Sequence, residues 1–430
     1  MSLRILIVSD HYPPSIGGAH RQTQLLAKEL YKRGHHVAVA TVWQPGTVTE
    51  SDDEGVQLFR LKDLRTTWRP APNETGQRHH PPYPDPVTIQ GLRQVMAKVQ
   101  PDVIHAYGWF SYSLAVALGN QEIPLLISAR DYAYGCATRT LVYQGEESCS
   151  GPALGKCLSC AAKLYGRPKG WAAVIGTAVS LPLLKRKVKG IHSISTYVRE
   201  MVHRDFADDQ IGPLVEATIP SFREDRDQPC DPNDPALQPY LAQLPNEPYI
   251  LFVGALRRVK GIYELLAAYQ RLQSAPPLVL IGTREADSPQ LIPPGVHILP
   301  NFPHRAVMAA WEHAAFGVIP SLWAEPLGSV VYEGMSRGKA VIGTRPGGHT
   351  DMITDGETGL LVPQGDVTAL ATAMQALIDN PQLCQAMGNA AKTRAELFVA
   401  AQSVPRFEQL YARLVEQRQP TAQPLPAVLT

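Results

Sequence analysis

No stretch of the 430-residue chain approaches the roughly 18 consecutive apolar residues that a membrane span needs. The nearest, Trp171 to Leu184, contains Gly176 and Pro182 and runs into Lys185-Arg186-Lys187. It reads as a core helix with a basic end rather than an interfacial anchor. An excess of charge of one sign is also missing: 40 Lys and Arg face 39 Asp and Glu, a net charge of +1. Without a global field to draw the chain onto nucleic acid, an anionic ligand has to be held locally. Six cysteines in so long a chain do not make a secreted disulfide scaffold. The amino terminus passes from Met-Ser-Leu-Arg into the short run Ile5-Leu6-Ile7-Val8, closed by Ser9-Asp10, too short for a signal peptide. A soluble cytosolic protein is the expectation. The G-x-G-x-x-G spacing of a dinucleotide dehydrogenase is absent as well.

Proline is abundant, with 38 residues, but hydrophobic runs separate the prolines, which implies many loops rather than disorder. Ile5–Val8, Val37–Val42, Val103–Ala106, Leu125–Ser128 and Gly190–Ser195 are short apolar runs separated by segments of helical period. Residues 66–86 follow neither period and read as a long loop. From Pro220 to Pro248 the composition turns charged and proline-rich, as at a domain boundary. The alternation then restarts at Tyr249–Val253 and continues through Gly359–Val362. The expected class is α/β, two doubly wound parallel-sheet domains facing a cleft. Their expected limits are 1–218 and 219–403, with a helix and flexible tail over 404–430.

The richest segment is Pro320-Ser321-Leu322-Trp323-Ala324-Glu325-Pro326-Leu327-Gly328-Ser329-Val330-Val331-Tyr332-Glu333. Glu325 falls in the loop after an apolar strand, and Gly328 opens a helix that Pro326 cannot extend backwards. The amides of Leu327, Gly328, Ser329 and Val330 then face the cleft at a positive helix end, an anion site. Two carboxylates beside it, Glu325 and Glu333, cannot both bind phosphate and make sense as acceptors of sugar hydroxyls.

Together with Gly347-Gly348, Asp351, Asp355-Gly356-Glu357-Thr358-Gly359 and Asp366, this segment resembles the nucleotide-sugar motif of retaining glycosyltransferases of family 4. The resemblance implies a GT-B fold with two Rossmann-like domains, the second holding most of the donor. It sets Glu325 beside the donor sugar and Glu333 at the ribose. Gly254-Ala255-Leu256-Arg257-Arg258-Val259-Lys260-Gly261 matches the loop whose cations neutralise the diphosphate. Lys260 falls in the family position, whereas Ala255 stands where the family has Arg, so that role passes to Arg257 or Arg258. Gly282 and Phe302 join the implied donor-binding set, as does Gly18 of the first-domain Gly17-Gly18 loop. Arg130, in Ser128-Ala129-Arg130-Asp131-Tyr132, stands where many relatives carry His and is expected to bind phosphate or a carboxylated sugar. Glu325, Lys260 and Arg130 are the catalytic candidates; His105 reads as a satisfied core or cleft residue rather than a catalyst.

Cys136, Cys149, Cys157 and Cys160 have the spacing C-x12-C-x7-C-x2-C. They are either the ligands of a structural metal, zinc ahead of an iron–sulfur cluster, or four reduced thiols in an irregular insert over 136–160. Cys230 and Cys384 stand alone.

The implied reaction moves a sugar from a nucleoside diphosphate to a hydroxyl of a glycan, lipid or small molecule, with no cofactor needed for catalysis. Two readings stay beside it: a nucleotide-sugar epimerase on the same fold, and a non-catalytic nucleotide-sugar binder. Peripheral association with the inner membrane face and the oligomeric state stay open; nucleic acid is not an expected partner.

Overall fold

The computed structural model describes residues 2–10, 12–14, 18–68, 80–206, 214–223, 231 and 234–418. Cys230, Gly17 and the tail from 419 onward lie outside that set.

The first half builds an eight-stranded sheet. Its strands are β1 (Arg4–Ser9), β2 (His36–Val42), β3 (Glu50–Asp53), β4 (Val56–Leu61), β5 (Val103–Tyr107) and β6 (Leu125–Ala129). A hairpin of β7 (Val142–Tyr143) and β8 (Glu147–Ser148) stands apart, and β9 (Val188–Ser193) and β10 (Val215–Thr218) complete the sheet. The spatial order is β10-β9-β6-β5-β1-β2-β4-β3, parallel except for the edge strand β3. β1, β5 and β6 are buried along nearly their whole length, as a sheet covered by helices on both faces requires. The order reverses between β1 and β5, which opens a crevice at their carboxyl ends.

The second half repeats the design with β11 (Tyr249–Val253), β12 (Leu278–Ile281), β13 (Val296–Leu299), β14 (Ala314–Ile319), β15 (Val341–Arg345) and β16 (Gly359–Pro363). All are parallel, in the order β13-β12-β11-β14-β15-β16, with the switch point between β11 and β14. The two switch points face each other across the cleft. The expected α/β architecture of two doubly wound domains is what the chain forms.

The carboxyl-terminal helix, Ala400–Arg418, crosses back under the first sheet instead of standing free. Phe407, Leu410, Tyr411 and Leu414 pack in one core with Ile5, Ile7, Val103 and Leu126. The Tyr411 hydroxyl lies 2.7 Å from His105 Nδ1, whose Nε2 lies 2.6 Å from Ser128 Oγ. His105 is therefore the satisfied core residue that the sequence implied.

Between β6 and β9 runs a larger insert than the expected 136–160. It continues through two helices, Leu154–Tyr165 and Arg167–Lys185. The second is not the core helix expected: its small residues face inward with Val174 and Leu184, while Trp171, Ile175, Val179 and Leu183 stand outward. Among the described residues, no helix is long and apolar enough to cross a membrane.

Candidate active site

The loop after β11 turns through a short 3-10 segment, Arg258–Lys260, into the helix Ile262–Tyr269. Gly261 makes that turn at φ 73°, with its Cα pressed against the carbonyl of Pro320; a Cβ there would sit 1.8 Å from that oxygen. No other residue allows this approach. It brings the end of β11 against the end of β14 and so sets Lys260 beside the loop that carries Glu325.

Three donors converge on one oxygen of Glu325. Lys260 Nζ donates to Oε1 at 2.6 Å, Trp323 Nε1 at 2.7 Å and Ser321 Oγ at 2.8 Å. The Lys260 ammonium also lies 5.3 Å from the centre of the Trp323 ring. Glu325 is 7% exposed. Burial alone pushes its carboxyl up, but the charge of Lys260 and the bonds from Lys260 and Ser321 outweigh it and hold the group below its ordinary value. Glu325 is thus ionised and fixed in direction.

Three residues on, Gly328 caps the helix Ser329–Ser336 at φ 86° with no side-chain cap. The opening amides of the helix are left to a ligand in the cleft, at the positive end of its dipole. His349 lies beneath this cap: a Cβ on Gly328 would stand 2.8 Å from its Nε2. Its Nδ1 accepts from the Thr344 amide at 3.2 Å, so the neutral ring carries its proton on Nε2, which is buried and has no hydrogen-bond partner. Burial lowers its pKa below the usual histidine value.

Four residues after Ser329, on the same helix face, Glu333 lies 3.2 Å from His304 Nε2. Arg21 of the first domain reaches His304 Nδ1 at 3.3 Å, which assigns the His304 proton to Nε2 and makes a chain across the cleft. Two more bonds join the domains: the Tyr132 hydroxyl donates to the Ala324 carbonyl, and the Thr196 amide to Asp351 Oδ2.

The opposite wall belongs to the first domain. Arg130 donates to Ser221 Oγ at 2.9 Å and lies over the Tyr107 ring, and its Nε is buried with no partner. Burial lowers its pKa. Asp131 takes two bonds from Arg139, at 2.9 Å from Nε and 2.6 Å from Nη2. One cavity is lined by Arg130, Asp131 and Arg139 on this side and by Lys260, Ser321 and Glu325–Val330 on the other.

Of the residues singled out in the sequence, Arg130, Lys260, Glu325, Leu327, Gly328, Ser329 and Val330 line this cavity, and Glu333 lies one turn behind it. Arg257 and Arg258 do not line it. Arg257 faces Asp287 at 3.6 Å, and Arg258 lies over the Tyr263 ring, because the 3-10 turn carries only Lys260 inward. Gly282 is a packing glycine against the Gly254 carbonyl, and Phe302 packs edge-on to Tyr240; neither lines the cavity. Gly18 opens the helix Gly18–Lys32. Sequence reading passed over Arg139 and His349. The latter had one legible signal, a histidine directly after Gly347-Gly348.

The four cysteines gather at the hairpin β7–β8 and the helix after it, as free thiols. The Cys160 thiol is pushed up by burial first, and also by the neighbouring sulfurs of Cys136, Cys149 and Cys157. Cys160 Sγ accepts the Gln144 amide at 3.1 Å and Cys157 Sγ that of Ala153 at 3.4 Å, while Cys149 Sγ lies 3.5 Å from the Gly151 carbonyl and Cys160 Sγ 3.8 Å from that of Val142. Among the described residues, no group of three or more His, Cys, Asp or Glu is placed to hold a metal ion. The insert also has a small core of Ala137, Ala161, Ala173 and Val174, which the reading of 136–160 alone could not include.

Residues 17–211 match the glycosyl transferase 4-like domain, and residues 238–394 match the glycosyl transferases group 1. A glycogen synthase of Mycobacterium tuberculosis is 25% identical over 426 residues, covering 91% of this chain and 90% of that protein. Among solved structures, a sucrose-phosphate synthase from Thermosynechococcus elongatus superposes with a TM-score of 0.70 at 21% identity, covering 96% of this chain and 99% of that one. Anabaena HepE, in complex with UDP-glucose, has a TM-score of 0.63 at 15% identity and covers 96% and 99% respectively.

Proposed function

Since the chain belongs to the group 1 glycosyltransferases, with the GT-B fold of family 4-like enzymes, we propose that it transfers a sugar with retention from a nucleoside diphosphate to an acceptor hydroxyl in this cleft. The observation that carries the reading is the Lys260–Glu325 pair at the uncapped mouth of the helix Ser329–Ser336. A cation, a row of free amides and an ionised carboxylate then meet in one cavity with Arg130 opposite. Such a set matches a diphosphate with a sugar beside it.

The chemistry follows from where charge develops. As the bond from the anomeric carbon to the phosphate oxygen breaks, negative charge grows on that oxygen. The Lys260 ammonium, the amides of Ser329 and Val330, and the Arg130 guanidinium are its counter-charges. The acceptor oxygen bonds to the same face of the anomeric carbon and gives its proton to the departing phosphate. No protein nucleophile is required. Asp131 is committed to Arg139, and Glu325 is held ionised by three donors on Oε1. Among the described residues none donates to Glu325 Oε2, which leaves that oxygen to accept a donor-sugar hydroxyl. Glu333, fixed by His304, accepts from the ribose hydroxyls.

The Anabaena protein's complex with UDP-glucose supports taking the uridine donors first. Isothermal titration with UDP, GDP, ADP and TDP, repeated on Lys260→Ala, tests the reading. One diphosphate should bind, and Lys260→Ala should weaken it by at least tenfold while leaving the bare nucleoside nearly unchanged. Equal loss for nucleoside and diphosphate, or no binding of any of the four, would overturn it.

A further inference from the structure

The helix Arg167–Lys185 turns the wrong side to water. Its inward face is made mostly of small residues, Gly170, Ala173, Gly176, Thr177 and Ser180, with Val174 and Leu184 buried among them. A Cβ on Gly170 would meet the Ala161 carbonyl carbon at 2.4 Å, and one on Gly176 the Pro82 oxygen at 2.7 Å. This face is therefore locked against the neighbouring helix Leu154–Tyr165 and the 80–85 segment, and the helix cannot roll to hide the other side. Outward stand Trp171 at 47% exposure, Ile175 at 53%, Val179 at 63% and Leu183 at 41%. Spaced by four, they form one stripe roughly 18 Å long at the α-helical rise, with no charged side chain between Lys169 and Lys185. A water-facing helix has the opposite arrangement.

Charge marks the same surface. Residues 148–199 contain nine Lys and Arg and not one Asp or Glu, while the rest of the chain carries 31 basic against 39 acidic residues. The near-zero total conceals a basic segment. Arg167 and Lys169 at one end of the stripe, and Arg186 and Lys189 at the other, are exposed.

We propose that this face docks the first domain on an anionic lipid surface, with the helix lying in the plane of the headgroups. A stripe of Trp, Ile, Val and Leu flanked by cations at both ends is matched by apolar chains beneath a layer of negative headgroups. Trp171 suits the boundary between the two. A second copy of the chain fits worse, because a two-fold contact through this face would set the exposed cations flanking one stripe against those of the other. Docking rests on this surface alone and not on the catalytic reading. Its consequence for that reading is the position of the acceptor: the insert leaves β6 at Arg130 and Asp131, so the cleft opens from the same end of the sheet.

Sedimentation of the full chain with phosphatidylcholine vesicles, with and without phosphatidylglycerol, tests docking without any turnover. The protein should bind the vesicles containing phosphatidylglycerol, bind plain phosphatidylcholine at least tenfold more weakly, and be released by salt. Ile175→Ser with Val179→Ser should weaken binding by roughly tenfold or more, since two buried aliphatic groups are lost. Leu291→Ser, at an equally apolar but remote exposed position of the second domain, should leave it unchanged. Both changes are at exposed sites, so matching melting curves and UDP titrations separate loss of docking from loss of fold or of the donor site. Failure to bind the anionic vesicles, or equal binding by the double variant, overturns the proposal. So does a concentration-dependent dimer that the double variant abolishes, which would assign the face to a second copy.

Discussion

Lys260 and Glu325 are 65 positions apart in the chain and 2.6 Å apart in the cleft. Each belongs to a loop at the switch point of the second sheet, and the pair exists because Gly261 lets those two loops touch. Glu325→Gln keeps the shape and an oxygen for Ser321 and Trp323 but removes the charge. Transfer should fall about 100-fold or more, in the range of losing one oriented electrostatic contact. UDP affinity, measured by calorimetry, should stay within a few-fold, because Lys260 and the helix amides remain. A fall in stability of about 1–3 kcal/mol is expected, at the low end for a broken buried pair because Lys260 is 31% exposed.

Arg257→Ala and Arg258→Ala should leave diphosphate affinity within about twofold, since one side chain faces Asp287 and the other Tyr263. Arg130→Lys, by contrast, should lower the transfer rate clearly. Lysine lacks the second guanidinium arm needed to hold Ser221 and face the cleft at once. Calorimetry with UDP checks the first two variants, and the steady-state rate with saturating donor checks Arg130→Lys.

Gly328→Ala meets two obstacles. Its φ of 86° is left-handed, which costs about 1–2 kcal/mol for a residue with a Cβ, and that Cβ would stand 2.8 Å from His349 Nε2. Urea unfolding should show the loss, and UDP should bind more weakly as the helix mouth shifts. Adding His349→Ala should relieve the crowding and leave the dihedral cost.

How much of this was legible beforehand depends on the kind of signal. The buried strands β1, β5, β6 and β11 are continuous apolar runs, and the motif around Glu325 keeps its spacing, so both could be read. β3 could not, because Glu-Ser-Asp-Asp has no strand pattern; it pairs as an edge strand only because β4 lies beside it. The outward face of Arg167–Lys185 was misread for a similar reason. Hydrophobicity gave the helix, but which side it buries was fixed by Gly170 and Gly176 meeting backbone. Arg257 and Arg258 were adjacent to the right position in sequence, and a single 3-10 turn directed them elsewhere.

Asp10 gives a pH signature. It accepts the amides of Trp109 and Phe110, each at 3.1 Å, and burial pushes its pKa from 3.8 up to about 7. Between those values the folded chain keeps a proton that the unfolded chain has lost. Its contribution to stability is therefore complete below about pH 4 and lost as pH rises to about 7, at up to about 1.4 kcal/mol per pH unit. Asp10→Asn cannot ionise, so its stability should fall less than that of the native chain between pH 5 and pH 7, with urea midpoints as the readout.

Transfer with retention at the Lys260–Glu325 pair is read most directly by proton NMR of the sugar product formed from an α-linked nucleoside-diphosphate donor. The spectrum must be followed from the first minutes, before the anomers equilibrate. The expected result is an α-configured product that appears with the native chain and is absent with Glu325→Gln. A β-configured first product, or equal α-product from the Glu325→Gln variant, would contradict it.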